Sequence, residues 1–161
     1  MKFRVALPDE AHALALASCF ARLRPDRAVV YLCGELGTGK TTFSRGFIQA
    51  CGHNGKVKSP TYTLIEPYEL PQVTIHHLDL YRLSDPEELE YLGVEEACRT
   101  GICLIEWPQR GAGVLPEPDL SLSLSYLPQG RQLEAESHTS AADDWLGRVQ
   151  SHFLADPQIK D

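Results

Sequence analysis

Residues 34–41 read GELGTGKT, and a second threonine, Thr42, follows. A glycine, four residues, then glycine, lysine and a hydroxyl residue is the spacing of a phosphate-binding P-loop. Each residue type meets a physical demand. A triphosphate packs several negative charges into a small volume. Backbone N–H groups surround it only where the chain turns tightly with little side-chain bulk, which calls for glycine. A helix starting at the same point aims its positive end at that charge. Lys40 reaches the outer phosphates as a point charge, and the Thr41 hydroxyl is of the type that ligates Mg²⁺. Such a loop needs an acid at the end of a neighbouring strand. Two apolar runs end in one: VTIHHLD at Asp79 and ICLIE at Glu106. From residue types alone, either acid can hold the metal, directly or through water, while the other orients or deprotonates an attacking water. His76 and His77 precede Asp79, and histidines in a strand are usually packed or hydrogen-bonded rather than catalytic.

The elements that position these groups alternate along the chain. KFRVAL reads as a short strand, and residues 9–24 as a helix capped by Asp9. AVVYLC, Ala28 to Cys33, is a continuous apolar run, as a buried strand requires. A helix is predicted from Lys40 to Cys51, stopped by Gly52. SPTYTLIEPY and VTIHHLDL read as two further strands. SDPEELEYLG predicts a helix with Asp85 as cap, Pro86 in the first turn and Gly93 past the end. ICLIEW reads as a buried strand. DLSLSLSYL alternates strictly and is expected to pair with RQLEAES across LPQG. A last helix is expected over 140–154. The fold class expected is α/β and P-loop NTPase-like: a central, mainly parallel sheet flanked by helices, with an antiparallel hairpin near the C-terminus. One domain is expected over 1–155 and a frayed tail over 156–161.

Composition narrows the function classes. The chain has 161 residues and a formal net charge of −7, from 15 basic and 22 acidic side chains. A surface this acidic gives no general electrostatic attraction to nucleic acid, so any RNA role should be indirect, and no DNA partner is expected. No apolar run approaches the roughly 20 residues of a membrane span, and Asp9, Glu10 and His12 interrupt the first apolar stretch; a cytoplasmic protein with no membrane partner is expected. The five cysteines are odd in number and form no C-x-x-C pair, which speaks against a disulfide framework or a zinc site. A guanine-reading Asn-Lys-x-Asp element is excluded, because the single asparagine, Asn54, precedes Gly55. Beyond Glu106 only Arg110, Arg131 and Arg148 are available for the arginine-rich lid of a small-molecule kinase. That activity stands as the alternative.

Four stretches, GELGTGKTTFSRG, SPTYTLIEPY, HLDLYRL and LIEW, occur in this order and spacing. Together they resemble the bacterial TsaE family, also known as YjeE, over most of the chain. The resemblance implies an ATPase needed to make threonylcarbamoyl-adenosine beside the anticodon of tRNAs that read codons starting with A. It implies TsaB and TsaD as partners, TsaD being the transferase, and contact with tRNA only through that complex. It implies ATP and Mg²⁺ as ligands, low ATPase activity for the chain alone, and hydrolysis that resets the complex between turnovers. Carried onto this sequence, Leu36, Gly37, Thr38, Gly39, Lys40, Thr41 and Thr42 surround the phosphates. Thr41 and Glu106 attend the metal, and Lys40, Asp79 and Glu106 form the catalytic set. Asp79 contacts the nucleotide side, and Glu10 and Arg131 close on the base and phosphates. Ser59 to Thr63 takes the place of a switch segment whose Thr61 or Thr63 senses the γ-phosphate. Thr38, where the family often has alanine, is small enough to be tolerated. Lys40 is expected to be solvent-accessible, and Lys56, Lys58 and Arg82 form the best local basic patch.

Overall fold

The computed structural model describes residues 1–157. Strand β1 (Lys2–Leu7) leads into helix α1 (Glu10–Arg22), whose cap is Asp9: its carboxylate accepts the His12 N–H at 2.9 Å. Strand β2 (Ala28–Cys33) runs through the loop of residues 34–39 into α2 (Lys40–Ala50). Strands β3 (Ile65–Glu69) and β4 (Thr74–Asp79) follow, then two single-turn helices, α3 (Glu88–Tyr91) and α4 (Val94–Ala97). Strand β5 (Ile102–Glu106), a 3₁₀ turn (Pro108–Gly111), β6 (Leu120–Tyr126), β7 (Arg131–Ser137) and α5 (Ser140–Ala155) complete the described chain.

The strands form one seven-stranded sheet in the order β1-β7-β6-β2-β5-β4-β3. Its centre is parallel: β2 pairs with β5 and β6, and β5 with β4. Both edges are antiparallel, β3 on β4 and β1 on β7, and β6 and β7 form the expected hairpin. Alternation along each strand sorts side chains onto two faces. Val30, Leu32, Ile75, Ile102, Leu104 and Leu122 share the larger core with Phe20, Phe43, Phe47 and Trp145 of α1, α2 and α5. Val29, Leu78, Cys103 and Ile105 face the smaller core with Leu89 and Val94 of α3 and α4. The same parity puts His77 and Asp79 with Ile75, and Glu106 with Ile102 and Leu104, on the face that α2 covers. The β4–β5 register completes the arrangement by setting Asp79 directly opposite Glu106.

Two expectations are corrected. SPTYTLIEPY becomes a strand only from Ile65; residues 59–64 turn instead, with Leu64 at φ +68° and its N–H on the Pro60 carbonyl at 2.7 Å. Pro60 has no N–H for a ladder, and the Ser59 and Thr61 hydroxyls go to Asp79. SDPEELEYLG holds only the single helical turn of α3, which ends before Gly93, φ +68°, as expected, and a second turn, α4, starts beyond that glycine. Only Leu89 and Val94 of these two turns are buried, too little apolar face to sustain a longer helix. Asp85 caps an isolated turn by accepting the Glu87 N–H at 3.0 Å. Of the expected tail, residues 158–161 lie outside the described residues.

Candidate functional site

The phosphate-type loop closes around Lys40. Gly34, Gly37 and Gly39 all have positive φ (+146°, +79° and +107°), which L side chains adopt only under strain. A Cβ on Gly34 would stand 2.6 Å from the Leu124 carbonyl oxygen, so glycine there lets the loop lie on β6. At Gly39 a Cβ would meet nothing within 4 Å: this position opens onto a cavity. Lys40 is 5% exposed, which corrects the expectation of an accessible side chain. Its Nζ donates to the carbonyls of Gly34 (2.6 Å) and Glu35 (2.8 Å) and lies 4.4 Å from the centroid of the Trp107 ring. A loop bent by glycines turns its carbonyls inward, and the ammonium satisfies them. Burial pulls the Lys40 pKa below the ordinary lysine value, with Glu106 and Asp79 opposing. Thr38 is buried and bonds the Glu35 carbonyl at 2.8 Å, so its hydroxyl is part of the loop's own bonding.

The acids meet the loop at the start of α2. The Thr41 hydroxyl donates to Glu106 Oε1 at 3.1 Å and lies 3.3 Å from Oε2. His77 is fully buried, with Nε2 2.6 Å from Glu106 Oε2. Asp79 takes the Ser59 and Thr61 hydroxyls on Oδ2 (2.8 and 2.9 Å) and the Tyr81 N–H on Oδ1 (3.0 Å). Thr61, not Thr63, is therefore the threonine tied to the acid; Thr63 lines a separate groove with Lys56 and Lys58. A cavity of about 260 Å³ is lined by Lys40, Thr41, Thr61, Asp79, Glu106 and Trp107, among others. The donor set of Thr41 and Glu106 is all oxygen, the hard kind Mg²⁺ takes, and leaves its remaining positions to water and phosphate. With Gly39 open to the space, these residues fit Mg²⁺ beside a polyphosphate.

A second cavity, about 390 Å³, opens on the other side of the loop between Glu10, Ala13, Thr42, Phe43, Leu124 and Arg131. Glu10 is held there by Arg45 at 2.7 Å. The β6–β7 hairpin grips the loop: Tyr126 Oη donates to the Leu36 carbonyl at 2.5 Å and Arg131 to the Gly37 carbonyl at 3.3 Å. The Arg131 guanidinium lies over the Tyr126 ring. The basic patch is looser than expected. Lys56 and Lys58 line one groove with Tyr62, and Arg82 stacks on the outer Tyr62 ring at 4.5 Å.

A family model described as threonylcarbamoyl adenosine biosynthesis protein TsaE matches residues 7–133. The chain belongs to the TsaE family. A Haemophilus influenzae protein named tRNA threonylcarbamoyladenosine biosynthesis protein TsaE is 46% identical over 140 residues, 83% of this chain and 89% of that one. A Bacillus subtilis protein of the same name is 38% identical over 124 residues, 76% of this chain and 75% of that one. The crystal structure of Bacillus subtilis YdiB superposes with a TM-score of 0.78, over 94% of this chain and 96% of that one, at 23% identity; it shares the fold. The four stretches that resemble TsaE converge around one cavity: Leu36, Gly37 and Gly39 to Thr42, Ser59 and Thr61, Asp79 and Tyr81, Glu106 and Trp107. Three contributing side chains are not legible in the sequence. His77 has the pattern of an ordinary strand histidine. Nothing distinguishes Ser59 from the rest of its segment. Tyr126, at the end of an alternating strand, gives no sign of its reach to Leu36.

Proposed function

We propose that this chain binds Mg²⁺–ATP on the loop of residues 34–42 and hydrolyses it in the service of tRNA threonylcarbamoyladenosine biosynthesis, as the family name indicates. The observation that carries the reading is the meeting of three groups at the carboxyl ends of parallel strands. These are the glycine-lined loop around Lys40, the Thr41–Glu106 pair, and Asp79 opposite Glu106 in the register. The ligand clefts of open α/β sheets lie at this end.

In this reading Lys40 exchanges its two carbonyl partners for β- and γ-phosphate oxygens, and the N-terminus of α2 supplies further N–H groups. Thr41 and Glu106 hold the metal, which when bound neutralises phosphate charge. Asp79 gives up its hydroxyl partners and holds the attacking water or takes its proton at a carboxylate oxygen. Thr61 is then free to turn toward the γ-phosphate. The adenosine end lies toward Glu10 and Arg131, in the second cavity. Electrostatic preorganisation of this kind typically contributes the largest share of catalysis in phosphoryl transfer.

The partners proposed are TsaB and TsaD, with TsaD transferring the threonylcarbamoyl group and tRNA reached through that complex in the cytoplasm. The net charge of −7 supports indirect contact. Affinity for nucleic acid comes mostly from counterions released by clustered Lys and Arg, and Lys56, Lys58 and Arg82 are the best local cluster this chain offers. Among the described residues no helix is long and apolar enough to cross a membrane. The test is ATP turnover by the purified chain, alone and with TsaB–TsaD. Slow turnover alone and faster turnover in the complex are expected. Acceleration by a small metabolite instead would favour the kinase alternative, and sub-micromolar tRNA binding by the isolated chain would overturn indirect contact.

A further inference from the structure

We propose that His77 is the positioning residue of the Glu106 carboxylate: its Nε2–H fixes the orientation in which Glu106, with Thr41, receives the metal. The inference rests on the Mg²⁺–ATP reading above. Strand geometry puts the two groups within reach. In the β4–β5 register His77 lies opposite Leu104 and Asp79 opposite Glu106. His77 and Glu106 are thus diagonal neighbours on one face, a separation a long side chain spans. The imidazole does so, with Nε2 2.6 Å from Glu106 Oε2.

The cost of this arrangement argues that it is not packing alone. His77 is 0% exposed and Glu106 2%. A buried ring nitrogen is stabilised only by a partner, and Nδ1 of His77 has none among the described residues. Leucine would fill a similar volume with no polar atom to satisfy. The bare nitrogen is best carried as a lone pair, since an unpaired buried N–H costs more than an under-used acceptor. That assigns the proton to Nε2, which donates to the carboxylate. Glu106 Oε2 is then occupied by a firm bond, while Oε1 stays on the Thr41 side, 3.1 Å from the hydroxyl. Without His77 the carboxylate is free to rotate about its last torsion, which is broad for Glu. Its orientation would then be chosen only when metal arrives. Outer partners of this kind typically shift metal affinity by about 10- to 100-fold when removed.

The test compares His77→Leu, His77→Gln and His77→Asn with the parent by calorimetric titration of ATP, in EDTA and across a Mg²⁺ series, alongside thermal melting. The Gln amide nitrogen falls near the place of Nε2, whereas that of Asn falls near Nδ1. The expected result is metal-free ATP affinity within about twofold of the parent for all folded variants. The Mg²⁺ needed to tighten ATP binding should rise on the order of tenfold or more in His77→Leu and His77→Asn, and return toward the parent in His77→Gln. Where His77→Leu does not fold, His77→Gln against His77→Asn carries the same contrast. A parent-like Mg²⁺ requirement in His77→Leu or His77→Asn overturns the positioning role, as does an equal loss of metal-free affinity in every variant, which marks packing. A parent that binds no ATP at all overturns the nucleotide reading, and the role of His77 falls with it.

Discussion

Lys40→Met removes the ammonium and keeps most of the stem. In the structure that ammonium has two carbonyl acceptors, at 2.6 and 2.8 Å, and the Trp107 ring at 4.4 Å. Two effects on stability oppose each other. The carbonyls of Gly34 and Glu35 lose their donor, at about 1–3 kcal/mol for each that water cannot reach. A desolvated cation disappears, which is favourable, because burial already holds the Lys40 pKa below its ordinary value. We expect a net loss of about 1–2 kcal/mol, a fall in melting temperature of roughly 2–8 °C for a chain of this size. Nucleotide affinity should fall further. A hydrogen bond to a charged group contributes about 1.5–3 kcal/mol, and each 1.4 kcal/mol is tenfold, so ATP should bind on the order of 10- to 100-fold more weakly. The pH dependence has a definite sign. A lysine whose folded pKa is lowered binds its proton less tightly than in the unfolded chain, so stability rises with pH between the lowered value and the ordinary one. The parent should show that alkaline gain and Lys40→Met should lack it. Calorimetric ATP titration and melting curves from neutral to alkaline pH measure all three quantities. Unchanged ATP affinity in a folded variant refutes the placement of Lys40 at the phosphates.

Glu106→Gln and Asp79→Asn should each lower ATP turnover on the order of a hundredfold while changing ATP affinity at saturating Mg²⁺ only a few-fold, because both act where charge shifts in the transition state; parent-like steady-state rates in both would remove these strand ends from the site. Gly34→Ala should cost more stability than Gly39→Ala, measured by urea unfolding. Both incur backbone strain of about 1–3 kcal/mol, but only the first drives a Cβ to 2.6 Å from a backbone oxygen. Asp9→Asn should flatten the acid side of the stability curve. The His12 ring, then the His12 N–H, hold the Asp9 carboxyl below its usual range. Its contribution is therefore full above the ordinary carboxylate value and lost as pH falls through the folded one. Urea midpoints of parent and Asp9→Asn should differ near pH 7 and converge in strong acid.

The fold is legible where pattern and burial coincide. AVVYLC and ICLI are apolar throughout because both faces of β2 and β5 are covered. LSLSLSY alternates because Leu120, Leu122 and Leu124 enter the larger core while Ser123 and Ser125 face out. The failures are local contests that composition does not decide. Ser59 and Thr61 carry β-compatible neighbours, yet their hydroxyls find a better acceptor in Asp79 than a ladder offers. EELEYLG has every start and stop signal of a helix, but signals set boundaries and buried area sets length, and Tyr91 and Leu92 remain exposed.

The site divides along the same line. Contacts within one stretch are readable, since the order of glycine, lysine and threonine fixes them: Lys40 and Thr41 follow Gly39 at the head of α2 whatever the rest of the chain does. Contacts between stretches depend on register. Asp79 stands opposite Glu106 only because β4 and β5 pair in that phase, and a slip of one residue would move His77, Asp79 and Glu106 relative to one another and to the face under α2. The identity of His77 gives no warning, because what gives it a task is a diagonal across two strands 29 positions apart in sequence. The burial of Lys40 is hidden for a related reason. The sequence shows a cation needed by a ligand, and the fold shows what the cation does before any ligand is near: the inward carbonyls of a glycine-bent loop are the nearest acceptors, and burial follows from using them. On the proposed reading, phosphate must therefore compete with the loop for Lys40, and the affinity for ATP is set by the difference between those two sets of bonds rather than by the phosphate contacts alone.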